Sequence, residues 1–388
     1  MSKISKPPER TLAIPSVKIL HVVVDSPYIA TAIREFEAVA PGLNEFVLIV
    51  SGPATNFEQS NLVRAVTLRQ FRYEVERLDV RGVIFHSLAP HRRALLRHIP
   101  NRIKVVWIGW GYDYYNDLLS GLYPKGLVQP KTQALVQQIP KQFWGKVQSL
   151  IRPARALYDR YRIKELCRID VFCSGIDVEY QLIRAANPWF KPESFFWSYL
   201  TFEDDLMLTI EVGDEEKVDL LAGNSASPSN NHVELFESIA RHIDLTGRQV
   251  FVPLSYGDPR YRDLVIGMGE KILGTHFKPL TEFIPPAEYN RLVGSCGFML
   301  MNQLRQQAVG NLCLAARAGS KIFLDPRNPL FSWFTNRGIT IGDVNRPDTI
   351  PLTAEQRRAG QAVIEFHWSR QQQRERTRSL VGRIVSGE

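Results

Sequence analysis

The sequence predicts an α/β protein built of two Rossmann-like domains that face each other across a cleft. The chain has 388 residues, which is more than one domain usually holds. Short β-branched runs alternate with longer amphipathic stretches, a pattern typical of a parallel sheet covered by helices on both faces. The alternation forms two series of similar size, joined near residues 200–216, where the sequence is acidic and poor in strand signals.

The first series begins with a β-branched run at 17–24, which ends in a turn at Asp25 and Pro27. A helical pattern follows at 29–39 and stops at Pro41 and Gly42. Further strands are expected at 46–50, 82–86 and 104–108, and further helical segments at 63–78 and 91–98.

The second series has strands expected at 218–222, 249–253, 298–301 and 321–324, and helices at 231–242, 261–273 and 309–318. We therefore predict an N-terminal domain at 1–205, a C-terminal domain at 206–365 and a basic C-terminal helix at 366–388. Ligands of such folds bind in the cleft at the carboxyl ends of the strands.

The composition favours a folded, basic protein. Hydrophobic residues make up 44% and charged residues 23%, and 48 Lys and Arg against 40 Asp and Glu leave a net charge of +8. This balance suggests an anionic partner without choosing among nucleic acid, phosphate and lipid headgroup. The four cysteines form no metal-binding pattern, so we expect mostly buried thiols in a reducing compartment.

The N-terminal sequence does not resemble a signal peptide, since its apolar stretch is broken by Pro15 and Lys18. Uninterrupted apolar runs stay well short of the ~18 residues that a transmembrane helix needs. We therefore expect a cytoplasmic protein, free or attached to a membrane surface.

Common catalytic motifs are absent. The sequence contains no complete dinucleotide fingerprint, Walker A motif, G-x-S-x-G or H-E-x-x-H. The commonest interpretations as a dehydrogenase, NTPase, serine hydrolase or zinc protease therefore have no support.

The loop at 221–232 follows a predicted strand and precedes a helix. Gly223 permits a close backbone approach, and Asn224 and Ser225 offer hydrogen-bond donors. The first N–H groups and the positive end of the following helix suit a phosphate. The alternative is a helix-capping loop with solvated polar residues.

The loop at 302–311 has the same strand–loop–helix position. Arg305 is suited to phosphate oxygens, and Gln306 and Gln307 to sugar hydroxyls. Gly310 and Asn311 open a helix N-terminus towards an anion. The alternative is a surface loop with an exposed arginine.

The segment at 107–115 combines two Trp and three Tyr with two Gly and one Asp. Such a composition resembles a carbohydrate-binding platform, with Trp110 and Tyr115 among the rings and Asp113 as an acceptor. The alternative is a set of core aromatics, and Trp107 is expected in the core. Asp25 and His86 also lie at strand ends, where Asp25 is a candidate base or, alternatively, a helix cap.

The segment at 141–168 is basic and amphipathic, with eight Lys and Arg against two acids. This pattern favours a membrane-surface helix, while a solvated helix face and a nucleic-acid groove are the alternatives. The residues expected to contact the membrane are Lys141, Trp144, Lys146, Arg152 and Arg155.

Several motifs occur together in one order. They comprise Trp110, Gly111, Asp113 and Tyr115; Gly223, Asn224 and Ser225 with Ser229, Asn230 and His232; Val252, Pro253 and Tyr256; Arg305, Gln306, Gln307, Gly310, Leu312 and Cys313; and Asn328 with Pro329. From about residue 80 to residue 335 the chain resembles the TDP-N-acetylfucosamine:lipid II N-acetylfucosaminyltransferases, or 4-alpha-L-fucosyltransferases, of enterobacterial common antigen synthesis.

The resemblance implies a GT-B fold. It also implies transfer of 4-acetamido-4,6-dideoxygalactose from dTDP to an undecaprenyl-diphosphate-linked oligosaccharide at the inner face of the bacterial inner membrane. By the resemblance, Gly223, Asn224, Ser225, Tyr256 and the 305–311 loop hold the nucleotide sugar. His86, Trp110, Gly111 and Tyr115 are assigned to the acceptor, and Asp25, Asp113 and Arg305 to catalysis.

We expect catalysis without a metal or other cofactor, because no D-x-D motif lies at a strand end. The acids at 203–205 are expected to be solvated. Arg305 and the helix start near Asn311 would stabilise the leaving diphosphate. Retention and inversion both stay open; inversion would make Asp25 or Asp113 the base.

Other functions stay open as well. The chain could use UDP- or GDP-linked sugars, or be a non-catalytic module that binds a phosphorylated sugar. A basic RNA-binding protein is a further alternative, but no aromatic–basic motif on a sheet face is evident, so we expect no nucleic-acid partner.

Overall fold

The computed structural model describes residues 17–50, 61–140, 162–206 and 217–386. These residues form two parallel sheets, one of seven strands in the order β3-β2-β1-β4-β5-β6-β7 and one of six in the order β10-β9-β8-β11-β12-β13. The first sheet contains β1 Lys18–Val23, β2 Asn44–Ile49, β3 Arg64–Val66, β4 Val80–His86, β5 Lys104–Ile108, β6 Val171–Ser174 and β7 Glu193–Phe196. The second contains β8 Leu220–Ala222, β9 Val250–Pro253, β10 Phe277–Leu280, β11 Phe298–Met301, β12 Lys321–Leu324 and β13 Ile341–Asp343.

Helices connect the strands and cover the sheets. They are α1 Tyr28–Val39, α2 Leu68–Glu76, α3 Pro130–Val136, α4 Asp177–Ala186, α5 Phe202–Asp205, α6 His232–His242, α7 Pro259–Leu273, α8 Pro286–Ser295, α9 Val309–Arg317, α10 Pro329–Thr335, α11 Ala354–Trp368 and α12 Arg370–Val385. Short 3₁₀ segments lie at Pro90–His98, Ser120–Leu122, Pro228–Asn230 and Gly274–His276.

The central strands are continuous apolar runs because helices cover both of their faces. In β11 all four residues are buried, and in β1 only Lys18 is not. Each sheet has a switch point where the strand order reverses, between β1 and β4 in the first sheet and between β8 and β11 in the second. The carboxyl ends of the strands at such points form the crevice in which ligands of open α/β sheets bind.

The last helix returns to the first half of the molecule. After α11, the chain passes Ser369, and α12 packs against α1 and β4 of the first sheet. The indole Nε1 of Trp197 donates to Thr377 Oγ1 at 3.0 Å, and Ile384 covers Gly82. The C-terminal segment therefore ties the second half of the chain to the first.

One predicted helix is shorter than expected. Residues 64–66, expected within a helix at 63–78, pair with β2 as strand β3. Thr67 then forms a capping box with Gln70 that starts α2 at Leu68. The reason is local, because a capping box satisfies the first N–H groups of a helix and so sets where it begins. The segment near 91–98 is a 3₁₀ helix.

The acidic residues at 203–205 are not simply solvated, in contrast to the expectation. They form the short helix α5, in which Asp204 accepts hydrogen bonds from Arg370 and Asp205 from Arg34. The partners lie about 170 residues away along the chain on α1 and α12. These ion pairs tie the segment that joins the two halves to both helices.

No helix in the described part of the chain is both long and apolar enough to cross a bilayer.

Candidate functional site

A cavity of about 470 Å³ lies between the two halves of the molecule, where strands of both sheets end. Its second-half wall is made by Asn224, Ser225, Ser227, Tyr256, Gly257, Arg305, Gln306, Gln307, Ala308, Val309, Gly310 and Asn311. Its first-half wall includes Tyr28, Ile108, Gly109, Trp110, Tyr112, Gly175, Trp197, Ser198, Tyr199 and Leu200. The predicted loops after β8 and β11 are therefore side by side in one cavity.

The loop after β8 is held by a network of amide side chains. The N–H of Asn224 donates to Asn230 Oδ1 at 3.0 Å, and Asn230 Nδ2 donates to the backbone oxygen of Ser225 at 3.0 Å. Gln303 Nε2 donates to Asn230 Oδ1 at 2.7 Å and to Asn224 Oδ1 at 3.1 Å. Since Gln303 follows β11, this buried network fixes the two loops relative to each other.

Gly223 supports this loop from behind the cavity wall. Its φ is +72°, and a Cβ atom at this position would lie 3.1 Å from Nε2 of the buried His232. A side chain would be strained by the backbone and crowded by the imidazole. Gly223 thus allows the shape of the loop, and its predicted contact with a nucleotide sugar stays a prediction.

The loop after β11 presents polar side chains and a helix start to the cavity. Gln307 Nε2 donates to Asn224 Oδ1 at 2.9 Å, and its Oε1 accepts from Ser229 Oγ at 2.9 Å. Asn311 Nδ2 donates to Tyr289 Oη at 2.9 Å. These contacts hold the side chains of the loop in place before any ligand enters.

Helix α9 begins at this loop, after Ala308 with a φ of +57°. The first N–H groups of any α-helix have no acceptor within the helix, and they carry its partial positive charge. Here the residues that bear them, from Val309 to Asn311, line the cavity. The arrangement can bind an anion such as a phosphate.

Arg305 adds a full positive charge beside this helix start. Its Nη1 donates to the backbone oxygen of Gln306 at 3.0 Å, and a Cβ atom on Gly111 would lie 3.1 Å from the same nitrogen. Burial lowers the pKa of Arg305, and the nearby hydroxyl of Tyr115 opposes the shift. An arginine side chain keeps its charge in proteins, so the cavity holds a fixed cation.

The first-half wall is aromatic and rests on a buried histidine pair. Trp110 Nε1 donates to Tyr199 Oη at 2.7 Å, and Tyr199 Oη also contacts His86 Nδ1 at 2.8 Å. His86 Nε2 in turn lies 3.0 Å from His21 Nδ1. Burial lowers the pKa of His86 well below its usual value, and His21 lowers it further, so His86 is neutral.

His86, expected to bind the acceptor, therefore lies beneath the wall and is fully buried. Its contact with Tyr199 orients a residue that does line the cavity.

Asp113 is also placed differently from the expectation. The residue is 1% exposed. Its Oδ1 accepts a hydrogen bond from the N–H of Trp110 at 2.9 Å. Its Oδ2 accepts two hydrogen bonds, from the N–H of Leu88 and from Trp107 Nε1, each at 2.9 Å. Burial raises the pKa of Asp113, and these hydrogen bonds oppose the shift. Because both oxygens accept hydrogen bonds from within the protein, Asp113 shapes the aromatic loop at 107–115, and its contacts do not support a role as base.

The other predicted residues of the first half divide in the same way. Trp110 lines the cavity, whereas Gly111 and Tyr115 are buried behind the cavity wall. Asp25 is exposed after the end of β1 and is not part of the lining. The roles of these residues in catalysis or acceptor binding stay predictions. The proposed membrane residues Lys141, Trp144, Lys146, Arg152 and Arg155 lie outside the described residues.

The sequence analysis missed several residues of the site. Tyr28, Tyr112 and Tyr199 contribute rings to the first-half wall, and Gln303 and Glu179 are buried beside the two loops. Gln303 lies two residues after β11, and Tyr28 begins α1 after the turn that follows β1, so both positions carried a signal. Tyr112 belongs to the aromatic segment at 107–115, which was predicted as a whole without assigning this residue a role. Tyr199 and Glu179 could not be found in this way, because their place in the site depends on how distant segments pack.

Carboxylates and metal-binding clusters are absent from the described site. None of the described residues that line the cavity is Asp or Glu. Across the described ranges, no group of three or more His, Cys, Asp and Glu side chains is arranged to hold a metal ion.

A second cavity of about 740 Å³ lies between the 122–130 loop and the start of α10. Its lining is mainly apolar and contains none of the predicted site residues. We therefore place the candidate site in the smaller cavity, which has the helix start, the arginine and the amide network.

Several solved structures share this architecture. Sucrose-phosphate synthase from Thermosynechococcus elongatus is 9% identical with a TM-score of 0.64, over 96% of this chain and 100% of that one. HepE from Anabaena, solved in complex with UDP and glucose, is 11% identical with a TM-score of 0.61, over 96% of this chain and 100% of that one. At these identities the likeness shows the fold, which is of the GT-B type, as expected.

The family assignment comes from the sequence itself. A family model described as 4-alpha-L-fucosyltransferase, glycosyl transferase group 56, matches residues 155–350, which is half of the chain. This region contains both loops of the second-half wall, including Asn224 and Arg305, whereas the aromatic segment around Trp110 precedes it. The chain, with a cavity where the strands of its two parallel sheets end, is a glycosyltransferase that belongs to the 4-alpha-L-fucosyltransferase family, group 56.

Proposed function

We propose that this glycosyltransferase moves a deoxy-acetamido sugar, 4-acetamido-4,6-dideoxygalactose, from dTDP to an undecaprenyl-diphosphate-linked oligosaccharide. One observation carries the proposal. Arg305 and the first turn of α9 line the same cavity, at the ends of the strands where nucleotide ligands of α/β folds bind. The family match supports the class of sugar.

The chemistry follows from the charge that develops on the leaving group. The anomeric C–O bond to the diphosphate breaks, a new bond forms to the oxygen of an acceptor hydroxyl, and the proton of that hydroxyl is released. The departing dTDP gains negative charge, which Arg305 and the N–H groups of α9 would stabilise without a metal or cofactor.

The donor sugar would lie against the amide side chains of the second half. Asn224 and Gln307 are already fixed by their mutual hydrogen bond, so little side-chain freedom is lost when a sugar hydroxyl binds. Both reach the cavity from loops that the buried Gln303 holds together. Such preorganisation supports binding of a polar ligand in a defined orientation.

The acceptor would approach from the aromatic wall of the first half. The rings of Tyr28 and Trp110 lie 5.7 Å apart in an edge-to-face arrangement, and those of Trp110 and Tyr199 lie 5.1 Å apart. Aromatic faces of this kind can stack against sugar C–H groups. The described lining contains no carboxylate, which supports a reaction that relies on leaving-group stabilisation more than on a strong base.

The nucleotide preference is tested by thermal shift with dTDP, UDP, GDP and CMP. A ligand that binds only the folded state raises the melting temperature, by an amount that depends on its concentration relative to Kd. We expect dTDP to give the largest shift and Arg305→Ala to reduce it. Slow release of dTDP from the dTDP-sugar, lost in Arg305→Ala, would support an enzyme. A wild-type protein stabilised by none of the four would refute the proposal.

Metal independence is tested by transfer or donor hydrolysis in excess EDTA. We expect the rate to stay unchanged. Loss of activity in EDTA, restored by Mg²⁺ or Mn²⁺, would overturn this part of the proposal.

The proposed location is the inner face of the bacterial inner membrane, where the basic 141–168 segment would meet anionic lipids. We expect flotation with vesicles of phosphatidylglycerol and phosphatidylcholine but not with phosphatidylcholine alone. Replacing Lys141, Lys146, Arg152 and Arg155 by Gln should abolish flotation and leave dTDP binding intact. Equal flotation with both kinds of vesicle would contradict the electrostatic attachment.

A second candidate is a glycosyltransferase of the same fold that uses a UDP-linked sugar. The Anabaena protein HepE, of similar fold, was solved with UDP and with UDP-glucose, which favours this alternative over the GDP-linked one. A larger thermal shift with UDP than with dTDP would select it.

A further inference from the structure

A buried carboxylate lies on the first-half side of the cleft, close to the loop at 305–311. Glu179, in α4, has no exposed surface. Its Oε1 accepts a hydrogen bond from Tyr115 Oη and its Oε2 accepts one from Tyr114 Oη, each at 2.7 Å. Both tyrosines belong to the aromatic loop after β5, so Glu179 fixes their hydroxyl groups.

The hydroxyl of Tyr115 also reaches across the cleft. It accepts a hydrogen bond from the N–H of Gln306, in the loop after β11, at 3.1 Å. Because its own proton is donated to Glu179, its lone pairs are available for Gln306. The three groups form a directed chain from the first half to the loop that carries Arg305.

The charges around Glu179 decide when this chain holds, because only the ionised carboxylate accepts from both tyrosine hydroxyls. Burial raises its pKa to about 7, while the two tyrosine hydroxyls and then Arg305 oppose the shift, and Asp113 adds to it. Tyr123 is a further titratable neighbour, and its pKa is itself raised by burial and by Glu179. A buried carboxylate is costly unless it has hydrogen-bond donors and a compensating charge. Here the tyrosines supply the donors and Arg305 the charge.

We propose that Glu179, acting through Tyr115, is a positioning residue that holds the 305–311 loop, and with it Arg305, in the geometry that binds the donor diphosphate. Glu179 itself touches no ligand in this scheme. The part that concerns the diphosphate rests on the proposed function, whereas the restraint on the loop does not.

The aromatic loop offers a matched pair of variants. Tyr115→Phe and Tyr114→Phe each remove one buried hydroxyl and one hydrogen bond to Glu179. Tyr115 also accepts a hydrogen bond from Gln306, whereas Tyr114 forms no hydrogen bond with the described 305–311 loop. A general loss of packing would therefore affect both variants, and loss of the restraint only the first.

Hydrogen–deuterium exchange of the ligand-free protein tests the restraint. We expect exchange of the peptide covering 305–311 to be about tenfold faster in Tyr115→Phe and Glu179→Gln than in wild type, which corresponds to the loss of one hydrogen bond. Tyr114→Phe should keep the wild-type rate in this peptide. Equal rates in the two phenylalanine variants, at similar melting temperatures, would overturn the inference.

Binding of dTDP and donor turnover test the functional consequence. Tyr115→Phe and Glu179→Gln should bind dTDP about tenfold more weakly, with kcat and KM for the donor both affected, and Tyr114→Phe should behave as wild type. Unchanged dTDP affinity in Tyr115→Phe, despite faster exchange, would refute the link to the donor. If wild type itself bound no nucleotide, the proposed function would fail and the exchange result would still decide the restraint.

Discussion

Gly111 allows a test of how closely the two halves must fit. It is buried, its φ is +85°, and a Cβ atom on it would lie 3.1 Å from Arg305 Nη1 and 3.1 Å from Gln306 Oε1. Both atoms are the ends of flexible side chains, so Gly111→Ala would displace them by a few tenths of an ångström. The methyl group would thus act on Arg305, the proposed catalytic cation, from the opposite side of the cleft.

The structure contains a control for the backbone strain. Gly338 has the same φ of +85° but nothing within 4 Å of its Cβ position. An alanine in this left-handed region costs about 1–2 kcal/mol, so both variants should lose about that much free energy of unfolding. Removing a preorganised donor from an active site typically lowers kcat ~10²–10³-fold. For a displaced rather than deleted guanidinium we expect a loss of about tenfold in kcat/KM, in Gly111→Ala alone.

The assay compares the two variants under conditions where both are folded. Urea denaturation gives the free energy of unfolding, and release of dTDP from the dTDP-sugar gives kcat and KM for the donor. Equal kcat/KM for Gly111→Ala and Gly338→Ala would show that the contact between Gly111 and Arg305 has no role in catalysis. The same conclusion would follow if the loss of activity merely tracked the unfolded fraction.

Three further predictions concern single residues. Arg305→Lys keeps the charge but loses the planar array of hydrogen-bond donors. The kcat for dTDP release should therefore fall about 10²-fold, with little change in melting temperature. An unchanged kcat would rule out bidentate phosphate binding. Asp113→Asn places an amide N–H₂ group against an internal hydrogen-bond donor. The free energy of unfolding, measured in urea, should fall by about 1–3 kcal/mol, with a modest effect on kcat. A loss of activity by orders of magnitude at unchanged stability would instead identify Asp113 as the base. Burial lowers the pKa of His232 to about 3, so between that value and about 6.5 the unfolded chain takes up a proton that the folded protein does not. Stability should therefore fall as the pH falls through this window. At pH 5 the loss of free energy of unfolding from His232 alone should be about 2 kcal/mol. Urea midpoints measured at pH 7, 6 and 5 should therefore decline less steeply in His232→Gln than in wild type.

Most strands in the middle of each sheet could be read from the sequence, but β6, whose four residues are all buried, was not predicted. The expected strands at 104–108, 298–301 and 321–324 are confirmed with the same bounds as β5, β11 and β12. Strands covered on both faces must be apolar throughout, and this leaves a continuous signal in the chain. Edge strands leave a weaker one: β7, with two exposed residues among four, and the three-residue β13 were not predicted.

The second-half wall of the site was predictable for a related reason. Its polar residues, such as Asn224 and Arg305, stand directly between a strand and the helix that follows it. Because parallel strands end at one edge of the sheet, sequence order alone brings these loops together. The local sequence therefore predicted which polar loops of the second half line the cavity, whereas the ligand that they bind stays a proposal.

Tertiary packing decided what the first half contributes. His86 ends strand β4 and Asp113 follows β5, yet both side chains turn inward, to His21 and to Trp107 respectively. Tyr199 instead reaches the cavity from a distant segment. The pairing of Glu179 with Tyr115, 64 residues apart, likewise has no local signal. By itself, the sequence determined where strands end and which loops carry donors and charge, because these are properties of neighbouring residues. Which of those side chains meet the cleft was decided only in the folded structure, because it depends on burial against partners far away in the chain.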